Sequence, residues 1–206
     1  MRRQEQNESS KEKILKAALQ EFGEKGYHLA STNCICKNNE ISKGLLFHYY
    51  KTKDDLFLIC VETCFNALSD YLTQNLTCEM QDLKKVLNHY FEIRFNFFKQ
   101  YPLYEQIFYT AVIDTPLHLT QQIEVLRIGL NELNKNFLTN LTNQLEIKPT
   151  VNINHVISLI YEISNYLHMK YKGDYSNDLQ KKHEVIITHS KEIQEMIILL
   201  FYGIVK

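Results

Sequence analysis

The chain has 206 residues, 45% of them apolar, which is enough to bury a core in one large domain or in a small domain joined to a larger one. Only six glycines and three prolines interrupt it, which favours long helices over a turn-rich β architecture. A net charge of −1 conceals an asymmetry: residues 1–53 hold ten Lys/Arg against six Asp/Glu (+4), and the remainder thirteen against eighteen (−5), so an anionic partner is expected at the first end. No apolar stretch follows the arginines of MRRQEQNESS, so no secretory leader is expected, and the run IILLFYGIV at 197–205 is too short to span a bilayer. Five cysteines without zinc-site spacing (Cys34-x-Cys36, Cys60-x-x-x-Cys64) read as small apolar residues in a reducing cytoplasm. No metal, cofactor or membrane partner is expected.

Residues 1–9 are polar and are expected to stay disordered. Ser9 and Glu12 are spaced as a capping box, after which Ile14, Leu15, Ala18, Leu19 and Phe22 recur at helical intervals until Gly26 stops the helix. Ser31 caps a second, short helix through about Asn38, anchored only by Ile35 and Cys36. Asn38-Asn39-Glu40 then suits a tight turn. Ser42 caps a third helix from Lys43 to about Tyr50, and Thr52 a fourth that opens on Asp54 and Asp55 at the positive end of its dipole.

Longer helices follow. Residues 82–100 carry Leu83, Val86, Leu87, Tyr90, Phe91, Phe95 and Phe98 at helical spacing. Pro102 starts another helix, and Pro116 restarts the chain for one reaching about Leu145. Pro149 ends it. The last two helices are expected at 152–171 and 181–204, joined by the polar linker KGDYSNDLQ. No repeat and no strand pair is evident. The expected fold class is all-α, with about nine helices.

A longer helix followed by short helix, tight turn and short helix outlines a helix-turn-helix, here at about 31–50. In that geometry the third helix enters the DNA major groove. Ile41, Leu46, Phe47 and Tyr50 fall at spacings that point inward against Ile35, Phe22 and Leu19. Lys43, Gly44, Leu45, His48 and Tyr49 are left outward. Lys43 suits a guanine edge or a phosphate, Leu45 a thymine methyl, and His48 and Tyr49 phosphates. Gly44 permits close approach. Lys53 and the first N–H groups of the fourth helix form a second phosphate site.

These residues also carry a resemblance. The run ILKAALQEFGEKGYHLAS…ISKGLLFHYYKTKDDLF, from Ile14 to Phe57, is similar to the DNA-binding domain of the tetracycline-repressor (TetR) family of bacterial regulators. It has an apolar helix ending F-x-x-x-G-Y, then S-K-G-x-L-[FY]-x-[YF]-[YF]-x-[ST]-K-[DE]-x-L. The stretch YPLYEQIFYTAVIDTPLHL is similar, less specifically, to some members' ligand-binding domains. The resemblance implies a head at 1–53 and an effector-binding and dimerisation domain at 54–206. Its DNA-contact set on this chain is Thr32, Asn33, Ser42, Lys43, Gly44, Leu45, His48, Tyr49 and Lys53. Several positions depart from the pattern. Glu40 stands where glycine is usual, so Asn39 or Asn38 is expected to take the left-handed position. Cys34 replaces a carboxylate, Asn33 an arginine and Leu45 a hydroxyl residue.

Alternative readings stand beside these. Residues 31–53 taken alone also fit an ordinary three-helix packing unit. Family members commonly hold a small apolar effector between their larger helices, and Phe91, Phe95, Tyr104, Phe108, Tyr109, Phe137 and His168 are the candidate lining, although core packing explains any single one as well. Apolar residues surround the last two helices, which fits a homodimer through a four-helix interface as well as it fits a buried monomer helix. The favoured function is a homodimeric, ligand-responsive repressor on double-stranded operator DNA. A helical enzyme or redox protein using the cysteines, and an effector-binding protein whose head no longer binds DNA, are the alternatives.

Overall fold

The computed structural model describes residues 2–76, 82–174 and 179–205. Ten α-helices and one 3-10 turn account for nearly all of them: α1 Arg2–Leu29, α2 Thr32–Asn38, α3 Lys43–Tyr49, α4 Lys53–Asn75, α5 Leu83–Gln100, α6 Pro102–Val112, the 3-10 turn Leu117–Leu119, α7 Thr120–Leu126, α8 Ile128–Asn143, α9 Ile153–Lys172 and α10 Leu179–Ile204. Among the described residues there is no strand, only an isolated antiparallel bridge between Ile147 and Val205. The chain divides into two compact units, one of residues 1–67, 98–111 and 115–127, the other of 68–97, 112–114 and 128–206.

In the first unit, Ile14, Ala17, Ala18 and Phe22 of α1 are buried with Ile35 of α2, Leu46 of α3, and Leu56 and Phe57 of α4. The Phe22 and Phe57 rings meet at 5.1 Å. Each of the Ile, Leu and Phe side chains stabilises this unit by roughly 1.5–3 kcal/mol through burial. Gly26, at φ 70 and ψ 178, breaks the helical path of α1 in a backbone region that glycine enters without penalty, and one further turn ends at Leu29. Three residues earlier, a Cβ built on Gly23 would lie 2.7 Å from Leu103 Cβ and 2.9 Å from Leu103 Cα. Only glycine lets α1 and α6 close to this distance.

The second unit buries Leu72, Leu87, Phe97, Leu138, Leu141, Ile160, Ile197 and Phe201. Asn152 caps α9 by accepting from the His155 N–H at 3.3 Å. Tyr161 Oη donates to the Asn131 carbonyl at 2.7 Å, tying α9 to α8.

Several expectations change. Residues 2–9 are helical, so Ser9 lies inside α1 and caps nothing. Extension is inexpensive once a helix is nucleated, and this stretch is rich in Arg, Gln and Glu, all good helix formers. The single helix expected from Pro116 to Leu145 is instead the 3-10 turn, α7 and α8. It is broken at Arg127, whose N–H is shared between the carbonyls of Ile123 and Val125. Cys78 and residues 175–178 of the expected linker lie outside the described residues. Helix α4 is long and apolar enough to cross a membrane by length and composition, with a mean hydropathy of 1.2. However, Leu56, Phe57, Cys60, Val61, Cys64, Phe65, Leu68 and Leu72 are buried within the chain, so α4 is a core helix.

Candidate nucleic-acid interface

The turn before α3 is a helix C-cap in which the chain reverses through one left-handed residue. The Ile41 N–H donates to the Cys36 carbonyl at 3.0 Å, the long bond of a Schellman motif. That motif requires positive φ at the residue just before Ile41, and Glu40 adopts φ 53. The asparagine expected there does something else. Asn39 stays at φ −117, and its Nδ2 donates back to the Ile35 carbonyl at 3.1 Å. Register of the hydrogen bonds, rather than residue preference, chooses the left-handed position.

Ser31 also departs from expectation, since its hydroxyl caps nothing. Its backbone N–H donates instead to Glu21 Oε1 at 3.0 Å. Glu21 is buried and pairs with Lys25 Nζ at 2.7 Å, so a carboxylate from α1 does the work at the start of α2. At α3 the expectation holds: the Leu45 N–H donates to Ser42 Oγ at 3.1 Å. The other end of α3 is closed by Lys51, whose Nζ lies 3.4 Å from the carbonyls of Phe47 and His48, where a cation is favoured by the helix dipole. Thr52 and Asp55 bond reciprocally, each side chain accepting from the other's N–H at 3.0 Å, and so fix the start of α4.

Between these caps, Leu46 and Ile41 are buried, while Ser42, Lys43, Gly44 and His48 are exposed. Leu45 and Tyr49 are half-buried. Phe47, expected inward, is 38% exposed, because it follows Lys43 by one helical turn and shares its line on the outer face. A Cβ built on Gly44 meets nothing within 4 Å, so packing within the chain does not require glycine there. Thr32 is half-buried and Asn33 exposed in the first turn of α2.

Lys53 sits apart from this surface. Its Nζ lies 4.6 Å from the centre of the Tyr27 ring and 3.4 Å from the His28 carbonyl. Burial there pushes its pKa down. Beside it, Asp54 joins three segments: Tyr27 Oη donates to Asp54 Oδ1 at 2.5 Å, and His118 Nε2 lies 3.1 Å from Asp54 Oδ2. Burial, and then the bond to Asp54, raise the Tyr27 phenol to about 12. Tyr49 Oη is already engaged, donating to Asn7 Oδ1 at 2.9 Å. Sequence reasoning missed Asn7, Lys51, Asp54 and His118 as parts of this site. Lys51 carried a signal, a cation just past a helix end. Asn7 and His118 carried none, because their partners are 42 and 64 residues away.

The candidate effector residues fall into separate groups. In the first unit, Phe108 and Tyr109 are buried against Phe98 at 5.2 and 5.8 Å, and Tyr104 is half-buried. In the second, Phe137 stacks on Tyr90 at 4.8 Å and Phe91 meets the same ring edge-on at 5.2 Å. Tyr90 Oη donates to Asn134 Oδ1 at 2.8 Å and accepts from Arg94 Nη1 at 3.2 Å. His168 stacks instead on His189 at 5.0 Å, and Phe95 is 66% exposed. Cys36, Cys60 and Cys64 are buried, Cys34 half-buried, and burial pushes the Cys60 thiol far up. Among the described residues no group of three or more His, Cys, Asp or Glu is placed to hold a metal.

Comparison with known proteins places this geometry. The sequence model of the bacterial regulatory proteins of the tetR family matches residues 14–60. The biofilm operon icaADBC HTH-type negative transcriptional regulator IcaR of Staphylococcus epidermidis is 37% identical over 65 residues, which span 32% of this chain and 35% of that protein. Its counterpart in Staphylococcus aureus (strain Newman) is 24% identical over 157 residues, 76% of this chain and 82% of the relative. Among solved structures, the transcriptional regulator FadR from Bacillus subtilis in complex with stearoyl-CoA matches with a TM-score of 0.64 at 17% identity, covering 90% of this chain and 96% of that one. A TetR-family regulator from Shewanella sp. PV-4 matches with a TM-score of 0.61 at 16% identity, covering 96% and 98%. The fold agrees with these solved regulators along nearly the whole chain, and the sequence agrees most closely over residues 14–60, which match the model of the tetR family of bacterial regulatory proteins.

Proposed function

We propose that the chain is a homodimeric, cytoplasmic, sequence-specific repressor that leaves a pseudo-palindromic operator when a small apolar effector binds. Residues 1–53 serve as the head and 54–206 as the effector-binding and dimerisation domain. The observation that carries the reading is the outer face of α3. Lys43, Gly44 and His48 are open to solvent on a helix capped at both ends, and Gly44 has no packing reason to be glycine. Lys43 reads a base edge, while His48 and Tyr49 hold phosphates, with Thr32, Asn33, Ser42 and Leu45 completing the contact surface. Lys53 reaches a phosphate only by leaving the Tyr27 ring. The IcaR relatives, named as negative regulators of an operon, support repression over activation.

Two such helices, one per protomer, meet successive major grooves about 34–36 Å apart. The second protomer is held through α9 and α10. An effector packed among the aromatic side chains of the second unit, with Phe91 and Phe137 the first residues to test, favours a dimer with the wrong spacing. A coupling free energy of about 1–3 kcal/mol suffices. A fluorescence-anisotropy titration on the promoter fragment upstream of the protein's own gene tests this. Lys43→Ala is expected to lower specific affinity by about 1–3 kcal/mol while sparing most non-specific binding. Equal affinity of the native chain for promoter and scrambled duplex would refute the reading.

A further inference from the structure

The first turns of α1 lie against the last turn of α3, a contact that the helix-turn-helix outline does not include. Tyr49 Oη donates to Asn7 Oδ1 at 2.9 Å, and Lys11 Nζ lies 5.7 Å from the centre of the Tyr49 ring. His48 meets the same ring edge-on at 5.0 Å. Asn7 and Lys11 are four residues apart, so they share one face of α1, and both are exposed. Their chemistry is complementary to an anion. The amide oxygen of Asn7 is taken by the tyrosine hydroxyl, which turns the Nδ2 donors away from that bond. Lys11 adds an ammonium within cation–π range of the ring. Tyr49 itself can exchange its amide acceptor for a stronger, charged one.

We propose that Asn7 and Lys11, with Tyr49, form a phosphodiester cradle, so that α1 joins α2 and α3 as a DNA-contacting element. This rests on the DNA-binding reading above and extends the contact surface to a helix so far assigned only to packing. The occupant is a backbone phosphate flanking the bases met by α3. Side chains with donors and no base-edge geometry fix register without reading sequence. The bond between Asn7 and Tyr49 preorganises both groups before DNA arrives, and that lowers the ordering cost on binding.

The test uses the full-length chain and two duplexes, the promoter fragment and a scrambled one, in a salt series. Lys11→Gln is expected to make the slope of log affinity against log salt shallower by about 0.9, one phosphate's worth of released counterions. Asn7→Ala is expected to weaken both duplexes by the same factor, about three- to tenfold, the range of one net hydrogen bond. Asn7→Asp separates a contact from mere support: it keeps an acceptor for Tyr49 but replaces the amide donors with negative charge, so it is expected to bind worse than Asn7→Ala. Wild-type affinity in Asn7→Asp together with an unchanged slope in Lys11→Gln would overturn the cradle. If Lys43→Ala still lost promoter binding in that case, the repressor reading would survive it. A native chain that binds neither duplex would overturn both.

Discussion

The outward faces of α3 and of α9 and α10 differ in kind. On α3 the open positions are Lys43, Gly44 and His48, and Phe47 is the one large apolar side chain in the open. On α9 and α10 the open positions include Tyr166, Met169 (76% exposed), Ile187, Leu199 (70%) and Tyr202. Isolated exposed apolar residues are ordinary, but five on two consecutive helices make a surface that water covers poorly. One face suits a polyanion and the other suits an apolar partner, for which a second copy is the simplest choice. The inward stripe of α10 also differs from a simple heptad reading. Ile186, Ile197 and Phe201 face the chain's own core, and Leu199 and Tyr202, one turn apart on the other side, do not.

The largest effect should come from breaking the apolar face. Leu199→Glu combined with Tyr202→Glu is expected to give a monomer by light scattering. Operator affinity should fall by about a hundredfold or more, because the second head no longer binds as a tethered event. An unchanged dimer mass would show that this face is not the interface. Within the polar face the effects divide more finely. Lys43→Ala should cost about 1–3 kcal/mol on the operator and relax its sequence preference. Tyr49→Phe should cost less, and equally on every sequence. A Tyr49→Phe variant with changed sequence preference would mean that Tyr49 reads bases rather than holding a phosphate.

How legible each face was follows from how local its causes are. Ser42 and Thr52 could be read as caps because a cap bonds a backbone group within three residues, and both do so. The buried pair Ile41 and Leu46 follows from helical spacing. Phe47 was misplaced because, on a helix of two turns, the boundary between faces is set by the neighbours, not by period. The role of Glu21 at the start of α2, ten residues away, and the meeting of Tyr27, Asp54 and His118 depend on tertiary approach. No window along the chain contains them. The break at Arg127 is likewise unmarked by proline. Over α9 and α10 the apolar content was evident, but the division into inward and outward stripes was not, since residues all round both helices are apolar.

The Tyr27 and Asp54 junction, which ties α1 to the start of α4, gives a smaller, pH-dependent effect. Tyr27 titrates near 12 in the folded chain and near 10 unfolded, so its phenol favours folding fully below pH 10. That contribution is lost as pH rises from 10 toward 12. Tyr27→Phe is expected to flatten the decline of thermal stability across this window while leaving pH 7 stability lower by at most about 1 kcal/mol, the size of one net hydrogen bond. An identical alkaline profile in Tyr27→Phe would show that other groups set it.

The smallest effect lies in the turn between the two helices of the motif, and it isolates the backbone from both surfaces. Glu40 holds φ 53 only because the Ile41 N–H must reach the Cys36 carbonyl. A non-glycine residue in the left-handed region costs about 1 kcal/mol, and glycine recovers most of that while adding some entropy to the unfolded chain. Glu40→Gly is therefore expected to raise stability by about 0.5 kcal/mol in a urea titration at unchanged m-value. Glu40 is exposed and carries a negative charge two residues before the proposed DNA-contact residues Ser42 and Lys43, so removing it should also strengthen binding slightly at low salt and not at high salt. Asn39→Gly should do the opposite. It places glycine where φ is already ordinary and removes the bond to the Ile35 carbonyl. If Asn39→Gly proved the stabilising variant and Glu40→Gly the destabilising one, the left-handed residue would be Asn39, and the register of the whole turn would shift by one.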